Sequence, residues 1–253
     1  MLMYSYTKSF FVSLNSTSKE DRSKMSKTPI YYYHLMSPPS RAGLMIIKEL
    51  DLNIKLQEID LLNSENFSEE FTKINPSQTV PSLVDDDFIV CDSHAICLYL
   101  IEKYAKNDKL YPKDDIALRT KINDRLFFDA SFLFPRGYNI MIPVLMQGQS
   151  FIPEENINQF YRAFKVVESF LENSKWIASN DQMTLADIAI FAWMECYTQL
   201  FTIEDYPKLT AWLNEMRKLS YYEEANKKGA KLQVETFQRV LENNKKKILN
   251  ESV

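Results

Sequence analysis

The chain has 253 residues and 25% charged residues, which is typical of one or two globular domains. Its formal net charge of −4 argues against a basic surface for nucleic acid. Only four glycines are present and no glycine-rich phosphate-binding motif occurs, which argues against the common nucleotide-binding loops.

Cysteine and histidine usage argues against disulfides and metal sites. Cys91, Cys97 and Cys196 form no C-x-x-C pair, and an odd count without a framework fits a reducing compartment. The chain has only two histidines and no Cys/His ligand spacing, so we expect no zinc site. No run of about 18 apolar residues occurs, so no membrane span is predicted.

Residues 1–27 are rich in serine and weakly patterned. The apolar run at 10–12 is too short for a signal-peptide core, and Glu20 and Asp21 argue against a transit peptide. We therefore expect a disordered N-terminal extension, upstream of an alternative start at Met25.

Residues 28–105 predict an α/β domain. The β-branched and aromatic run at 29–34 predicts a strand, the apolar stripe at 41–50 a helix, and the alternating run at 54–60 a second strand. A strand–helix–strand unit of about 30 residues implies that the two strands are parallel. A short helix is predicted over 68–73.

The stretch 80–93 predicts a strand, an acidic turn, a second strand and a helix capped by Ser93. Pro81 lacks an N–H, so it belongs at the start or edge of a strand, and a cis bond there would leave the Val80 backbone free to pair elsewhere. The N-terminus of the helix would present N–H groups to an anion. The stretch therefore suits a small peptide that carries a carboxylate.

The polar segment 106–115 predicts a linker, and the chain after it is predicted to be all helical. One long aromatic helix is predicted over 116–134, with interruptions at Pro135 and Pro143 because proline disrupts helices.

Three further features complete the prediction for the second domain. A capping box at 184–187 predicts the start of an apolar helix, since Thr and Asp can satisfy each other's backbone N–H groups. Amphipathic helices are predicted over 155–173 and 209–219. Residues 226–253 are highly charged, and we expect them to fray.

Four motifs in this order carry a resemblance to a known family: Ser37-Pro38-Pro39-Ser40-Arg41, Asn75-Pro76-Ser77-Gln78-Thr79-Val80-Pro81-Ser82-Leu83, Asp92-Ser93-His94-Ala95-Ile96 and Thr184-Leu185-Ala186-Asp187. The chain resembles the insect delta/epsilon group of the cytosolic glutathione S-transferases. The resemblance implies an α/β thioredoxin-like N-terminal domain over 28–105 plus an all-α C-terminal domain over 116–253. It also implies glutathione as co-substrate, with no metal.

Ser37 is the candidate catalytic residue. The resemblance implies that its hydroxyl, together with a helix N-terminus, stabilises the thiolate of glutathione, which is the nucleophile. The alternative is that Ser37 only caps a helix with Pro38 at its first position, and the two roles can coexist. Since Ser37-x-x-Ser40 has no sulfur, direct disulfide exchange is not expected.

The resemblance also implies the contacts to glutathione. The predicted residues are Pro38, Asn63, Gln78, Thr79, Val80, Pro81, Asp92, Ser93 and His94. Val80 would pair its backbone with the cysteinyl unit, while Asp92 and Ser93 would hold the γ-glutamyl end. Gln78 replaces a usual histidine, and its amide can hydrogen-bond but carries no charge. His94 replaces a common arginine and is interpreted as a surface or interface histidine.

A second, apolar substrate is expected against the long aromatic helix. The candidate residues are Pro39, Phe128, Ser131, Phe134, Tyr138, Met141, Leu145 and Phe201. A pocket lined by such apolar and aromatic side chains suits a flat apolar ligand such as a steroid. Aromatics at helical spacing are usually core, so we expect about half of these residues to be simple packing. Epsilon-type members tied to ecdysteroid biosynthesis carry an acidic residue that falls near Gly137 here, and the nearest upstream carboxylate is Asp129.

The leading hypothesis is a cytoplasmic, homodimeric glutathione transferase. It would attack an electrophilic apolar substrate, or reduce or isomerise it, in ecdysteroid biosynthesis or in general xenobiotic detoxification. A second hypothesis is a steroid-binding carrier on the same fold with little turnover. A third, a scaffold in translation complexes, is disfavoured because no fused domain or large basic patch is present.

Overall fold

The computed structural model describes residues 27–251, so the predicted extension over 1–27 lies, except for Lys27, outside the described residues. Four strands form one sheet in the order β2-β1-β3-β4. They are β1 (Ile30–Tyr33), β2 (Lys55–Glu58), β3 (Ser82–Asp85) and β4 (Phe88–Val90). β1 and β2 are parallel, as predicted, and β3 is antiparallel to both β1 and β4.

From residue 27 onward, this sheet is accompanied by the α-helices α1 (Pro38–Glu49), α2 (Glu69–Ile74) and α3 (Ser93–Tyr104) and by a 3₁₀ turn, Glu65–Phe67. The prediction that Ser93 caps α3 is wrong. The carboxylate of Asp92 accepts the Ala95 N–H at 2.9 Å, and Ser93 is the first helical residue. A carboxylate caps as well as a hydroxyl does, and the positive end of the helix favours its negative charge.

The sheet topology brings the predicted site residues to one end of the domain. The C-terminal ends of parallel β1 and β2 lie at this end, followed by Ser37 and Asn63. Because β3 runs antiparallel to β1, the beginning of β3 lies there too, just after Val80 and Pro81. β4 runs antiparallel to β3 and ends at the same edge, shortly before Ser93. Residues that are far apart in the sequence therefore meet at one end of the sheet.

The second domain is helical, which confirms the predicted fold class. Its helices are α4 (Ile116–Phe128), α5 (Phe134–Gln147), α6 (Glu154–Leu171), α7 (Leu185–Tyr197), α8 (Pro207–Met216) and α9 (Lys228–Glu251). All residues of α7 are buried, so this helix is the centre of the domain. Its predicted capping box is present: the Thr184 N–H donates to Asp187 Oδ2 at 2.8 Å.

The expected breaks at Pro135 and Pro143 are wrong. A π-helical turn, Asp129–Leu133, joins α4 to α5. Pro135 lies in the first turn of α5, where proline is tolerated because its missing N–H is not needed for the hydrogen bonds of that helix. Pro143 lies inside α5 and cannot bond the carbonyl of Asn139. The side chain of Asn156 in α6 donates to that carbonyl at 3.0 Å and satisfies it.

The expectation that residues 226–253 fray is also wrong for the described part of this segment. α9 is continuous to Glu251, and its Ala230, Val234 and Phe237 are buried at helical spacing. Near its end, the side chain of Asn244 donates to the Val144 carbonyl at 2.9 Å. The charged residues between these apolar positions lie on the opposite face of α9. Their number makes the apolar face hard to recognise in the sequence.

The predicted linker packs against the second domain. Leu110 and Tyr111 are buried, and the Leu110 carbonyl accepts the Leu185 N–H at 2.9 Å. None of the helices between residues 27 and 251 has the length and apolar character needed to cross a membrane.

Candidate active site

Ser37 lies in a tight turn between β1 and α1. Its N–H donates to the His34 carbonyl at 3.0 Å, and it is the N-cap of α1 with Pro38 in the first position. Its Oγ accepts the Ser40 N–H at 3.4 Å. The capping role predicted from the sequence is therefore confirmed.

This geometry leaves Ser37 able to act on a ligand as well. A hydroxyl has two acceptor lone pairs and one donor, so accepting from Ser40 leaves the O–H available to donate. The first turn of α1 contains no acidic residue that would offset the positive end of the helix. The half-buried Ser37 thus combines a free donor with a favourable field for an anion.

Arg41 holds this turn from behind and joins the two domains. Its side chain is fully buried and donates to the Leu35 carbonyl at 3.0 Å, the Ala192 carbonyl at 2.9 Å and Asn226 Oδ1 at 2.8 Å. Burial lowers the pKa of the Arg41 guanidinium. The sequence shows the motif that includes Arg41 but does not reveal the role of this side chain, because its partners other than Leu35 lie 150 residues or more away.

The segment that leads into β3 carries three predicted contacts. The Val80–Pro81 peptide bond is cis, and Pro81 is buried. Among residues 27–251, the half-buried Val80 makes no backbone hydrogen bond outside regular helices and strands. Thr79 is exposed, and its carbonyl accepts from the Asn75 side chain at 2.7 Å. The backbone groups of Val80 are thus left for a ligand.

Two predicted polar contacts already have partners within the chain. Gln78 has a positive φ of 57°, and its side-chain amide donates to Thr72 Oγ1 at 3.2 Å. Asn63 is exposed and donates to Asp60 Oδ2 at 2.7 Å. The pKa of Asp60 is lowered, chiefly by this hydrogen bond. Both amides would have to exchange or share these bonds to reach a ligand.

Of the two alternatives that the sequence left for His94, a surface or an interface histidine, the structure favours the second, because the ring lies between α3 and the π-helical turn after α4. The His94 side chain is 16% exposed, and its Nε2 lies 2.8 Å from Oδ2 of the buried Asp129 in the π-helical turn. Burial opposes a charged imidazole, but the hydrogen bond and charge of Asp129 outweigh burial, so the pKa of His94 is raised. This partner could not be found in the sequence because the contact depends on how α3 packs beside α4.

The predicted apolar residues fall into an exposed and a packed group. Phe134 and Tyr138 are 40% and 48% exposed, with ring centroids 5.8 Å apart. Trp193 meets Phe134 edge-on at 5.5 Å, a contact for which the sequence carries no local signal. Ser131 is exposed but donates to the Phe127 carbonyl at 2.7 Å, and Pro39 is half-buried beside Ser37. We call Phe134, Tyr138 and Trp193 the aromatic wall.

The packed group is held within the helical domain. Phe128 stacks on Phe132 and meets Phe170 edge-on, with both centroids at 5.1 Å. Met141 is buried, and Leu145 packs against the core. Phe201 stacks at 6.4 Å from Tyr197 and lines a cavity of about 680 Å³ beside α8. These four residues have packing contacts of the kind that was expected for about half of the set.

Gly137 cannot carry a larger side chain in this packing. It is buried, and a Cβ there would lie 2.7 Å from Tyr197 Oη and 2.9 Å from the Trp193 ring. Two aromatic rings therefore occupy the space that a carboxylate side chain at this position would need.

Two of the three cysteines, Cys97 and Cys196, are poor nucleophiles. Cys97 and Cys196 are buried, and burial raises the pKa of both thiols, that of Cys196 to about 11. Cys91 is half-buried, with its Sγ 3.7 Å from the Ile74 carbonyl. Within residues 27–251, no group of three or more His, Cys, Asp or Glu side chains could hold a metal ion.

Comparison with known proteins assigns the two domains. The profile of the glutathione S-transferase N-terminal domain matches residues 32–108, and that of the C-terminal domain matches residues 141–220. Glutathione S-transferase 1 of Manduca sexta is 39% identical over 197 residues, which cover 76% of this chain and 89% of that protein.

Solved structures agree with this assignment. An epsilon-class glutathione S-transferase from the housefly, Musca domestica, superposes with a TM-score of 0.81 and is 38% identical, covering 84% of this chain and 98% of its own. A glutathione transferase homologue from Drosophila mojavensis with bound glutathione has a TM-score of 0.81 at 33% identity, with 85% and 98% coverage.

Proposed function

This chain belongs to the glutathione S-transferase family and is an enzyme that conjugates glutathione to electrophiles, and we propose that Ser37 stabilises the glutathione thiolate for this reaction. One observation carries the proposal. Ser37 Oγ accepts the Ser40 N–H at the start of α1, so its own O–H is left to donate to a sulfur anion.

The proposed step has a simple balance. The thiol of glutathione gives its proton to solvent, and the thiolate accepts the O–H of Ser37 while the N-terminus of α1 adds its positive field. The sulfur then donates its electron pair to an electrophilic carbon, a carbon–sulfur bond forms, and the leaving group departs with its electron pair. Ser37 is not consumed, since it only lowers the free energy of the anion.

The rest of glutathione would lie along the same end of the sheet. We propose that the free backbone of Val80 pairs with the cysteinyl unit and that Asp92 and Ser93 hold the γ-glutamyl end at the start of α3. The glycyl end would lie near Gln78 and Asn63. Pro38, Thr79, Pro81 and His94 would shape this site rather than supply its main hydrogen bonds.

Conjugation of glutathione to a chloronitrobenzene tests the role of Ser37. We expect Ser37→Ala to lower kcat/KM by about 10- to 1000-fold, because one hydrogen bond to the developing anion is lost. Ser169→Ala is the matched control, since its exposed hydroxyl only donates to the Val166 carbonyl on α6. Equal activity of Ser37→Ala and wild type would rule out the proposed role.

A flat apolar compound, including a steroid, is our proposal for the second substrate. The proposal rests partly on a resemblance of the motifs to those of Noppera-bo, an epsilon-type enzyme tied to ecdysteroid biosynthesis. Phe134 and Tyr138 support the proposal because their partly exposed rings contact each other and the Phe134 ring meets Trp193 edge-on. Pro39 and Ser131 would border this surface, while Phe128, Met141, Leu145 and Phe201 would support it from within.

Competition against the chloronitrobenzene tests this substrate class. We expect a steroid to inhibit wild type, and Phe134→Ala to raise its inhibition constant about tenfold, because an aromatic contact of roughly 1 kcal/mol is lost with its apolar area. Phe151→Ala is the control, since Phe151 is also exposed, in the segment between α5 and α6. Equal inhibition of wild type and Phe134→Ala would exclude the aromatic wall as the binding surface, and detoxification of other electrophiles would then be favoured.

A steroid carrier with little turnover is the second candidate. The bond between Gln78 and Thr72 favours it, because it occupies an amide that the glycyl end of glutathione would need. Tight steroid binding together with no measurable conjugation would support the carrier over the enzyme of steroid metabolism.

We also propose that the protein is a cytoplasmic homodimer. Phe88 and Ile89 on edge strand β4 are 48% and 44% exposed, and Ile116 and Phe127 on α4 are more exposed still. Apolar surface on both domains suits contact between the first domain of one subunit and the helices of another. Light scattering that gives the mass of a monomer at micromolar concentration would contradict the proposal.

A further inference from the structure

His34 directly precedes the turn that carries Ser37, and the proposed function does not use its side chain. The residue is 7% exposed and follows β1. Its imidazole Nδ1 accepts the Met36 N–H at 3.1 Å. Its carbonyl accepts the Ser37 N–H at 3.0 Å. One histidine therefore holds two consecutive amides of the turn, one with its side chain and one with its backbone.

We propose that neutral His34 is a positioning residue for glutathione transfer: its Nδ1 fixes the Met36 amide and thereby the orientation of the Ser37 hydroxyl. This inference rests on the proposed role of Ser37. His34 would touch neither glutathione nor the second substrate, and it would act only through the turn.

The chemistry of imidazole makes this contact dependent on protonation. A neutral ring has one N–H donor and one acceptor nitrogen, so accepting at Nδ1 requires the proton to be on Nε2. A charged ring has two N–H donors and no acceptor. Protonation would turn Nδ1 into a donor that faces the Met36 N–H, and the hydrogen bond would be replaced by repulsion.

Charged groups from two neighbouring elements act on the ring. Glu58 at the end of β2 and Asp60 just after it favour the charged form, while Arg41 on α1 opposes it. Burial is the largest influence, and together with Arg41 it outweighs the two carboxylates, so the pKa of His34 is lowered from 6.5. The ring is therefore neutral at physiological pH and becomes charged only on acidification.

Further contacts hold the backbone of this turn in place. Arg41 Nη1 donates to the Leu35 carbonyl at 3.0 Å, and the His34 N–H lies 3.4 Å from Ser40 Oγ. A Cβ on Gly229 of α9 would lie 2.1 Å from the Leu35 oxygen, so the second domain presses on the same peptide. With the backbone held on these sides, loss of the Nδ1 bond is expected to redirect residues 36 and 37.

Two substitutions separate the acceptor from its titration. His34→Asn keeps a side-chain oxygen that can bond the N–H two residues on, as asparagine does in turns, but it does not titrate. His34→Leu removes the acceptor while keeping an apolar group of similar size. We expect kcat/KM for the chloronitrobenzene to fall about 10- to 100-fold in His34→Leu, because misplacing a reacting group costs rates of that order. His34→Asn is expected to stay within about threefold of wild type.

The pH profile of kcat/KM is the readout that a merely structural role would not change. We expect the acid limb of wild type to approach a slope of 2, from thiolate protonation and His34 protonation, and that of His34→Asn a slope of 1. If His34→Leu fails to fold, as judged by circular dichroism, the comparison of wild type with His34→Asn tests the proposal without it. Identical acid limbs in wild type and His34→Asn would overturn the proposal.

Nitrogen NMR of the untagged, ¹⁵N-histidine-labelled enzyme observes the tautomer directly. The chain has only two histidines, so the imidazole signals that His34→Asn removes are those of His34. We expect a proton on Nε2 and a bare Nδ1, and a proton on Nδ1 near neutral pH would contradict the proposal. Full activity in Ser37→Ala would instead refute the role of Ser37, and the tautomer would still report on the turn.

Discussion

His94 Nε2 lies 2.8 Å from Asp129 Oδ2, and this contact joins the first turn of α3 to the π-helical turn between α4 and α5. It therefore links the proposed γ-glutamyl site to the helix that carries the proposed substrate surface. Asp92, the N-cap of α3, lies 4.0 Å from the other ring nitrogen. Within residues 27–251, Asp129 Oδ1 is buried without a hydrogen-bond partner, so the carboxylate depends on His94.

His94→Ala is expected to destabilise the protein by about 3 kcal/mol at pH 6, because it leaves the buried Asp129 without its partner. His94→Gln should cost less, since an amide N–H can still donate to the carboxylate. Urea unfolding of the three proteins measures both differences. Equal stability of His94→Ala and wild type would show that the pair contributes nothing.

The stabilisation by this pair should also depend on pH. The pKa of His94 is raised in the folded protein from its ordinary value of 6.5. As the pH rises above 6.5, the folded protein therefore keeps the proton on His94 longer than the unfolded chain does. The contribution is thus fully present below pH 6.5 and is lost as the pH rises through the folded pKa. We expect the difference in unfolding free energy between wild type and His94→Gln to shrink from pH 6 to pH 9, and a growing difference would contradict the assignment.

Arg41→Met should destabilise the protein by weakening the contact between the two domains. It removes the donor to the Leu35 and Ala192 carbonyls and to Asn226, so buried acceptors are left unpaired and at least about 3 kcal/mol is lost. Arg41→Lys should not restore stability, because one ammonium cannot reach these separate acceptors. Thermal unfolding tests this, with the exposed Arg239→Met on α9 as the control.

Gly137→Ala should destabilise the helical domain by about 1–3 kcal/mol, because the added methyl group meets Tyr197 and Trp193 in a packed core. Gly148→Asn is the matched control. Gly148 has a φ of 73° with open space around it, and asparagine tolerates that conformation. Equal denaturation midpoints for Gly137→Ala and Gly148→Asn would show that α5 and α7 can move apart at little cost.

The sequence predicted the parts of the fold that depend on local pattern. The strand before Ser37, the parallel second strand, the strand that follows Pro81 and the capping box at Thr184 all carry their signals within a few residues. Such signals reflect side-chain period, missing N–H groups and capping, which do not require the rest of the chain.

Two departures from the prediction lie where distant residues compensate for a feature that is locally unfavourable. Pro143 is tolerated inside α5 because Asn156, on another helix, satisfies the carbonyl that it leaves free. His94 is buried because Asp129 is positioned by a π-helical turn. Neither partner is visible from local propensity, since both depend on how helices pack.

The role of Ser37 is tested most directly by titrating the thiol of bound glutathione through its ultraviolet absorbance. Free thiols of this kind have a pKa of about 8.5. We expect the pKa of glutathione bound to wild type to lie at least one unit lower, and that of glutathione bound to Ser37→Ala to return most of the way to the free value. Equal, lowered pKa values in both proteins would show that another group holds the thiolate and would contradict the account.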